Sequence, residues 1–161
     1  MIIRKAAIAD VPAIHGLLRY YGGRGELLAR SLSQLYDHLR DFWVHERPGG
    51  KKSGGRIAGC CALQFCWKDQ AEIRSLAVYP EYHGNGIGAR LMAAAEEEAR
   101  SNGITRLIAL TYRPGFFARF GYRLIDHAEI PLKVWSDCIS CVNFPNCDEN
   151  AMAKDLPPLF P

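Results

Sequence analysis

The stretch "LAVYPEYHGNGIG", Leu76 to Gly88, sets three glycines at alternate positions between an apolar, strand-like run and the helix-like run "ARLMAAAEEEAR". Glycine admits positive φ and close approach of backbone to another group. A glycine-rich entry to a helix also presents unpaired N–H groups and a positive dipole end, which suit an anion such as a pyrophosphate. Gly84-Asn85-Gly86-Ile87-Gly88-Ala89 formally satisfies the dinucleotide-binding pattern. That pattern, however, needs a strand running straight into the first glycine and an acidic residue about twenty positions later. Here Pro80 to His83 intervene, and the next strand-like run ends "LTYR". The Lys-Ser/Thr pair of a P-loop is missing too. A tight turn into a helix accounts for the same glycines without a ligand.

At 161 residues the chain reads as one domain over 1–161, large enough to bury a core without disulfides or a metal. Twenty basic residues against 17 acidic ones give a net charge of +3. With no run of five or more like charges and so nothing to track a phosphate backbone, nucleic acid is not an expected partner. "MIIRKAAIADVPAI" lacks an apolar leader core, and "IAGCCALQFCW" is too short and polar to span a bilayer, so the expectation is a cytoplasmic protein with no membrane partner. The six cysteines then read as reduced thiols. Cys138, Cys141 and Cys147, in a C-terminal extension over 135–161, supply three soft ligands but no second pair, so no metal is expected. His15, His38, His45 and His127 show no ligand spacing and read as surface or packing residues.

Helical and strand patterns alternate without repeats, which implies an α/β (α+β) fold. "IIRKAA" reads as a first strand. Asp10 is a candidate N-cap for a helix carrying Val11, Ile14, Leu17 and Leu18, which Gly22, Gly23 and Gly25 interrupt. A second helix over "LARSLSQLYDHLRD" leads to "FWVHE", joined through "RPGGKKSGG" to "RIAGCCALQFCW" as an antiparallel pair. "AEIRSLAVY" is a further strand. After the glycines, a helix to about Ser101, with Leu91, Ala95 and Ala99 as its packed stripe and Glu96 and Arg100 as a solvated pair, precedes the strand "RLIALTY", the short helix "GFFARF" and "YRLIDHAEI".

"LAVYPEYHGNGIGARLM" resembles the acetyl-CoA-binding motif of the GNAT N-acetyltransferase superfamily, V-x-P-x-x-[Arg/Gln]-x-x-G-x-[Gly/Ala], with Val78, Pro80, Gly86 and Gly88 matching and His83 in place of Arg or Gln. "PGFFARFGY" resembles the superfamily's short helix and following strand start. "GELLARS", "FWVHE" with "RIAGCCAL", "AEIRSLAV", "IALTYRPGFFARFGY" and "EIPLKVW" are together similar to the acetyltransferase domain of N-acetylglutamate synthases in their short form without a kinase domain. The tail "DCISCVNFPNCDENAM" is similar to that of the short bacterial members. The resemblance implies a GNAT fold, a mixed central sheet of about six or seven strands flanked by helices. It also implies acetyl-CoA as cosubstrate, at a splayed strand and the helix after it. Leu76, Ala77, Val78, His83, Gly84, Asn85, Gly86, Ile87 and Gly88 would hold the cosubstrate, with Phe117 beside its arm.

A thioester is already activated, so an amine attacks it directly once a proton is removed, the amine is oriented and the leaving thiolate is protonated. An α-amino group, with a pKa of about 8, needs a base at neutral pH. Glu72 is the base the resemblance implies; alternatively it is a plain strand residue or a partner for Arg74. The tyrosine that serves many relatives as general acid is Phe117 here, which has no proton to give. Thr111 matches a hydroxyl position of the synthases and Tyr112 adjoins it, though both can simply end a strand. Arg30 aligns with the arginine that holds the acceptor's α-carboxylate, a group best gripped by a guanidinium fork. Arg74, Ser75 and Lys133 complete the implied substrate contacts. The acceptor partner is then a small-molecule amino acid, glutamate or a near relative, in arginine biosynthesis. Two alternatives stay open: a GNAT enzyme acting on a polyamine, drug or protein amine, and a non-catalytic acyl-CoA-binding or thiol-regulatory module. A homodimer is equally left open.

Overall fold

A computed structural model of the chain describes residues 2–27, 29–48, 57–131 and 149–158. Its elements run β1 (Ile2–Lys5), α1 (Val11–Gly22), α2 (Leu32–Asp37), β2 (Phe42–Glu46), β3 (Ile57–Phe65), β4 (Gln70–Val78), α3 (Ile87–Ser101), β5 (Arg106–Thr111), α4 (Pro114–Ala118), β6 (Arg123–Leu124) and β7 (Asn150–Asp155). The strands form one seven-stranded sheet in the order β1-β2-β3-β4-β5-β7-β6. It is mixed: β1, β2 and β3 pair antiparallel, β4 and β5 parallel, and β7 runs antiparallel to both β5 and β6. This is the α/β architecture that the alternating patterns imply. Chain contacts divide it into two compact units, Met1–Leu63 with Ser75–Glu97 and Gln64–Arg74 with Glu98–Pro161.

In the first unit, α1 lays Val11, Ile14, Leu17, Leu18 and Tyr21 on a cluster with Leu35 of α2 and with Phe42, Val44, Ile57, Cys60, Ala62 and Ala77 of the sheet. The i, i+3, i+4 spacing of the apolar residues of α1 dictates that face. Asp10 does precede α1, yet its side chain does not cap it. Pro12 removes one of the two N–H donors a cap ordinarily uses. The carboxylate instead accepts from Ala7 N–H at 2.7 Å and from both Arg4 terminal nitrogens at 2.7 and 3.0 Å. Burial pushes the Asp10 pKa up, but those bonds and the Arg4 charge outweigh it and hold the group below its ordinary value.

The second helix is shorter than its sequence pattern. Ser31 fixes its start by a reciprocal box, Gln34 N–H to Ser31 Oγ at 3.2 Å and Ser31 N–H to Gln34 Oε1 at 2.9 Å. Leu39–Asp41 form a separate 3-10 turn. In α3, Leu91, Ala95 and Ala99 are buried as the stripe predicts, but Glu96 is buried as well and does not lie on a solvated face.

In the second unit, Cys66, Ile130 and Ala151 cluster with Leu110 and Ile125 packed against them. Residues 150–155, within the segment read as a C-terminal extension, form β7 and pair with β5 from Arg106↔Asp155 to Thr111↔Asn150. Strand pairing covers both edges of β7, and Ala151, Met152 and Ala153 are all buried. Such a strand shows no period-two alternation, and its Asn, Ala, Lys and Asp are poor strand formers, so the pattern hides it.

Two buried positions of β2 and β3 share a register. His45 faces Gly59 across the pair. A Cβ built on Gly59 would lie 2.9 Å from the Ala77 carbonyl oxygen, 3.0 Å from Val78 Cγ2 and 3.1 Å from Leu91 Cδ1. Backbone thus passes too close for any side chain, and Gly59→Ala should cost about 1–3 kcal/mol in urea denaturation. An alanine variant as stable as the parent would mean that the strands separate freely there.

His45 is fully buried, and neither ring nitrogen has a hydrogen-bond partner among the described residues. Burial, seconded by the Arg90 charge, holds its pKa below that of an ordinary histidine. The unfolded chain takes up the proton near pH 6.5 and the folded one only at lower pH, so between those values the unfolded state binds more protons. Stability should therefore fall as pH drops below about 6.5, by at most about 1.4 kcal/mol per pH unit. His45→Leu should flatten that slope at no cost at pH 7, since it removes two unpaired polar atoms. Urea midpoints at pH 7 and pH 5.5 check both outcomes.

Candidate active site

β4 carries Glu72, Arg74, Ser75, Leu76, Ala77 and Val78 of the candidate residues, and its pairing with β5 stops partway. It pairs with β5 through Gln70↔Arg106, Ala71↔Leu107 and Glu72↔Ile108, and among the described residues the register ends there. Three residues on, Ser75 has φ +53°, the left-handed region that side chains other than glycine rarely adopt. Cys60 of β3 supports this bend. Burial, eased slightly by a backbone bond from Ala77, pushes its thiol up to about 12, so it stays protonated and donates to the Ser75 carbonyl at 3.3 Å.

Past the bend, Leu76, Ala77 and Val78 finish the strand, a 3-10 turn covers Pro80–Tyr82, and the glycines lead into α3. Gly84 and Gly86 have φ of +82° and +72°. A Cβ at either would meet nothing within 4 Å. Conformation rather than crowding inside the protein thus requires glycine there, and the space beside the loop is open. Gly86 O accepts the first helical bond from Arg90 N–H at 3.1 Å, so the N–H groups of Ile87, Gly88 and Ala89 have no acceptor within the helix. Asn85 donates from Nδ2 to Tyr82 O at 3.0 Å and closes the turn. Ile87 is buried and anchors the helix start.

His83 is exposed, with Nε2 at 2.8 Å from the Val78 carbonyl oxygen and 3.0 Å from the Tyr21 hydroxyl, which itself donates to the same carbonyl. Sequence reasoning placed Tyr21 nowhere near the glycine loop. Its spacing of three from Leu18 on the buried face of α1 was legible, but the partner of its hydroxyl was not.

In the second unit, Glu72 is buried and its Oε1 lies 3.3 Å from Arg74 Nε; Arg74 also donates to Gln64 Oε1. One position alternative in a strand puts both on one face, so the pair read as an alternative from sequence is the arrangement observed. Thr111 ends β5, buried, and its Oγ1 accepts from Arg113 N–H at 2.8 Å. An accepting hydroxyl still has its own proton to donate. Tyr112 follows, half-buried. Phe117 is buried in α4, edge-on to Phe116 and Tyr122 at centroid distances of 5.5 and 5.1 Å.

Arg30, in the first unit, is half-buried immediately before the Ser31 cap of α2. Lys133 and the cysteines Cys138, Cys141 and Cys147 lie outside the described residues. Cys60, Cys61 and Cys66 are buried and in no disulfide, and no three metal-ligating side chains come together, among the described residues. No described helix is long and apolar enough to cross a membrane.

Comparison with known proteins agrees with this geometry. Residues 18–122 match the family model described as acetyltransferase (GNAT) family. An uncharacterized N-acetyltransferase of Chlorobaculum tepidum is 40% identical over 154 residues, covering 96% of each chain. An amino-acid acetyltransferase of Mycobacterium tuberculosis is 36% identical over 84% of this chain and 76% of its own length. Among solved structures, a Mycobacterium tuberculosis protein in complex with CoA superposes with a TM-score of 0.83 at 32% identity, covering 98% of this chain and all of that one. N-acetylglutamate synthase from Neisseria gonorrhoeae, complexed with coenzyme A and N-acetylglutamate, gives 0.85 at 34% identity over 97% of this chain, which spans 35% of that longer protein. Family model, full-length relative and fold coincide on the same residues: the chain belongs to the acetyltransferase (GNAT) family.

Proposed function

We propose that the protein transfers the acetyl group of acetyl-CoA to the α-amino group of an amino acid, with glutamate as the acceptor and arginine biosynthesis as the setting. The observation that carries the donor half is the glycine loop. Gly84 and Gly86, both at positive φ with open space where a Cβ would sit, lead straight into α3, whose first N–H groups have no acceptor within the helix. Such a start accepts the negative charge of a pyrophosphate through backbone alone. Amino-acid acetylation is supported by the relatives' names and by the N-acetylglutamate bound to the Neisseria protein.

Acetyl-CoA supplies an activated acyl carbon, so the chain's residues have only to deprotonate, aim and release. In this reading Leu76, Ala77 and Val78 meet the donor's arm through backbone, and Phe117 packs beside it. Glu72 takes the ammonium proton, and its ion pair with Arg74 fixes the carboxylate's orientation. Thr111, whose hydroxyl accepts from Arg113 and retains its proton, protonates the leaving thiolate, with Tyr112 as its neighbour. A thiol pKa of about 8.5 makes that demand light. Arg30 grips the acceptor's α-carboxylate, while Ser75 and Lys133 serve its remaining polar groups.

An acceptor screen reading thiol release from acetyl-CoA against amino acids and polyamines tests the whole assignment: glutamate should outrun glutamine and spermidine. A preference for spermidine would favour the amine-acetylating alternative. Glu72→Gln should lower turnover at pH 7 by roughly 10²-fold, with partial recovery at alkaline pH where free amine is abundant. Full turnover at pH 7 would leave Glu72 a structural partner of Arg74.

Arg30→Ala should raise the Michaelis constant for glutamate, with a transition-state loss of about 2–4 kcal/mol, while Arg30→Lys recovers part because it keeps charge without the fork. Acetyl-CoA binding by calorimetry should survive both. Equal glutamate acetylation by Arg30→Ala would remove Arg30 from the acceptor site.

A further inference from the structure

We infer that His83 is a positioning residue that works on the Val78 carbonyl together with Tyr21, and that it does not grip the donor's pyrophosphate from the motif position where relatives carry Arg or Gln. This rests on the acetyl-transfer reading above. A carbonyl oxygen can only accept, so the 2.8 Å approach of His83 Nε2 to Val78 O puts the ring proton on Nε2. The Tyr21 hydroxyl donates to the same oxygen. The 3.0 Å contact between Nε2 and that hydroxyl shows the two donors converging on one acceptor. A carbonyl has two lone pairs, and both are engaged here.

Three segments meet at this oxygen: the buried end of α1 through Tyr21, the last residue of β4, and the residue immediately before Gly84. Tyr21 is 7% exposed and belongs to the core cluster, so its hydroxyl is a fixed post. Gly59 closes the same stretch from the neighbouring strand, since a Cβ there would touch Ala77 O and Val78 Cγ2. The peptide after Val78 is thereby held before any ligand arrives, and with it the Leu76–Val78 backbone that meets the donor's arm in the reading above. Ordering it in advance reduces the entropy lost on binding. With Nε2 spent on Val78, the backbone of the loop is left to meet the phosphates.

The two roles for His83 separate when the phosphates are removed from the donor. We would measure kcat and KM for acetyl-CoA and for S-acetylpantetheine, which keeps the thioester arm but lacks the pyrophosphate, in the wild type, His83→Ala, His83→Gln, Tyr21→Phe and the Ala/Phe double variant. Loss of one hydrogen bond should raise KM for both donors by the same factor, about threefold to tenfold, with kcat retained. Gln, whose amide N–H can reach a carbonyl, should restore most of it. Tyr21→Phe should raise the same parameter, and the double variant should fall short of the product of the single effects because both act on one oxygen. A loss confined to acetyl-CoA would place His83 on the pyrophosphate and overturn the inference; no loss in His83→Ala with either donor would overturn it as well. Absence of transfer from both donors by the wild type would instead overturn the acetyl-transfer reading. Nitrogen-15 NMR of the apoprotein then reads the contact itself: an Nε2-protonated His83 whose signal moves in Tyr21→Phe is expected, and an Nδ1-protonated ring would refute it.

Discussion

Everything around the candidate site depends on one unfavourable backbone conformation. A serine at φ +53° in a strand is disfavoured by about 1–3 kcal/mol relative to extended geometry, and it persists only where its surroundings over-determine it. The surroundings here are specific. Cys60, too buried to ionise, donates its S–H to the Ser75 carbonyl. Gly59, beside it in β3, leaves room for Ala77 and Val78 to come within contact distance of bare backbone. At the far end Tyr21 and His83 close on Val78 O. A stretch of four residues is therefore tied at both ends and packed from one side, while its register with β5 has already ended at Glu72.

That constraint separates what could be read in the sequence from what could not. Helical periodicity gave away α1 and α3, and apolar or alternating runs bounded by turn signals gave away β1 to β5. The glycines were legible as a helix entry, and the structure adds that Gly84 and Gly86 are needed for their positive φ rather than for close packing within the protein. β7 was illegible: a short interior strand built from alanine, methionine and polar residues carries no periodic signal. Nor could sequence show Ser75 as left-handed, since serine is not a residue that advertises it. The bonds from Cys60 and Tyr21 are tertiary, joining positions 15 and 57 residues apart. The extents of α1 and α2 were decided by side chains that took backbone partners, Asp10 on Ala7 and Ser31 on Gln34.

The Glu72–Arg74 pair bears on how acceptor recognition is shared among the cations. Arg74 Nε is 3.3 Å from the Glu72 carboxylate and a terminal nitrogen donates to Gln64, with only 15% of its side chain exposed. A buried carboxylate gains from each partner, so pulling Arg74 away toward an acceptor carboxylate would take from Glu72 the ion-pair contact at 3.3 Å. If Glu72 is the base, the same guanidinium also steadies the group that must receive a proton, and an acceptor drawing on it would be competing with the catalyst. Recognition by Arg74 and the orienting of Glu72 would thus compete within one ion pair. In the proposed reaction, a guanidinium outside that pair, such as Arg30, would meet the acceptor's α-carboxylate while leaving Glu72 its ion-pair partner.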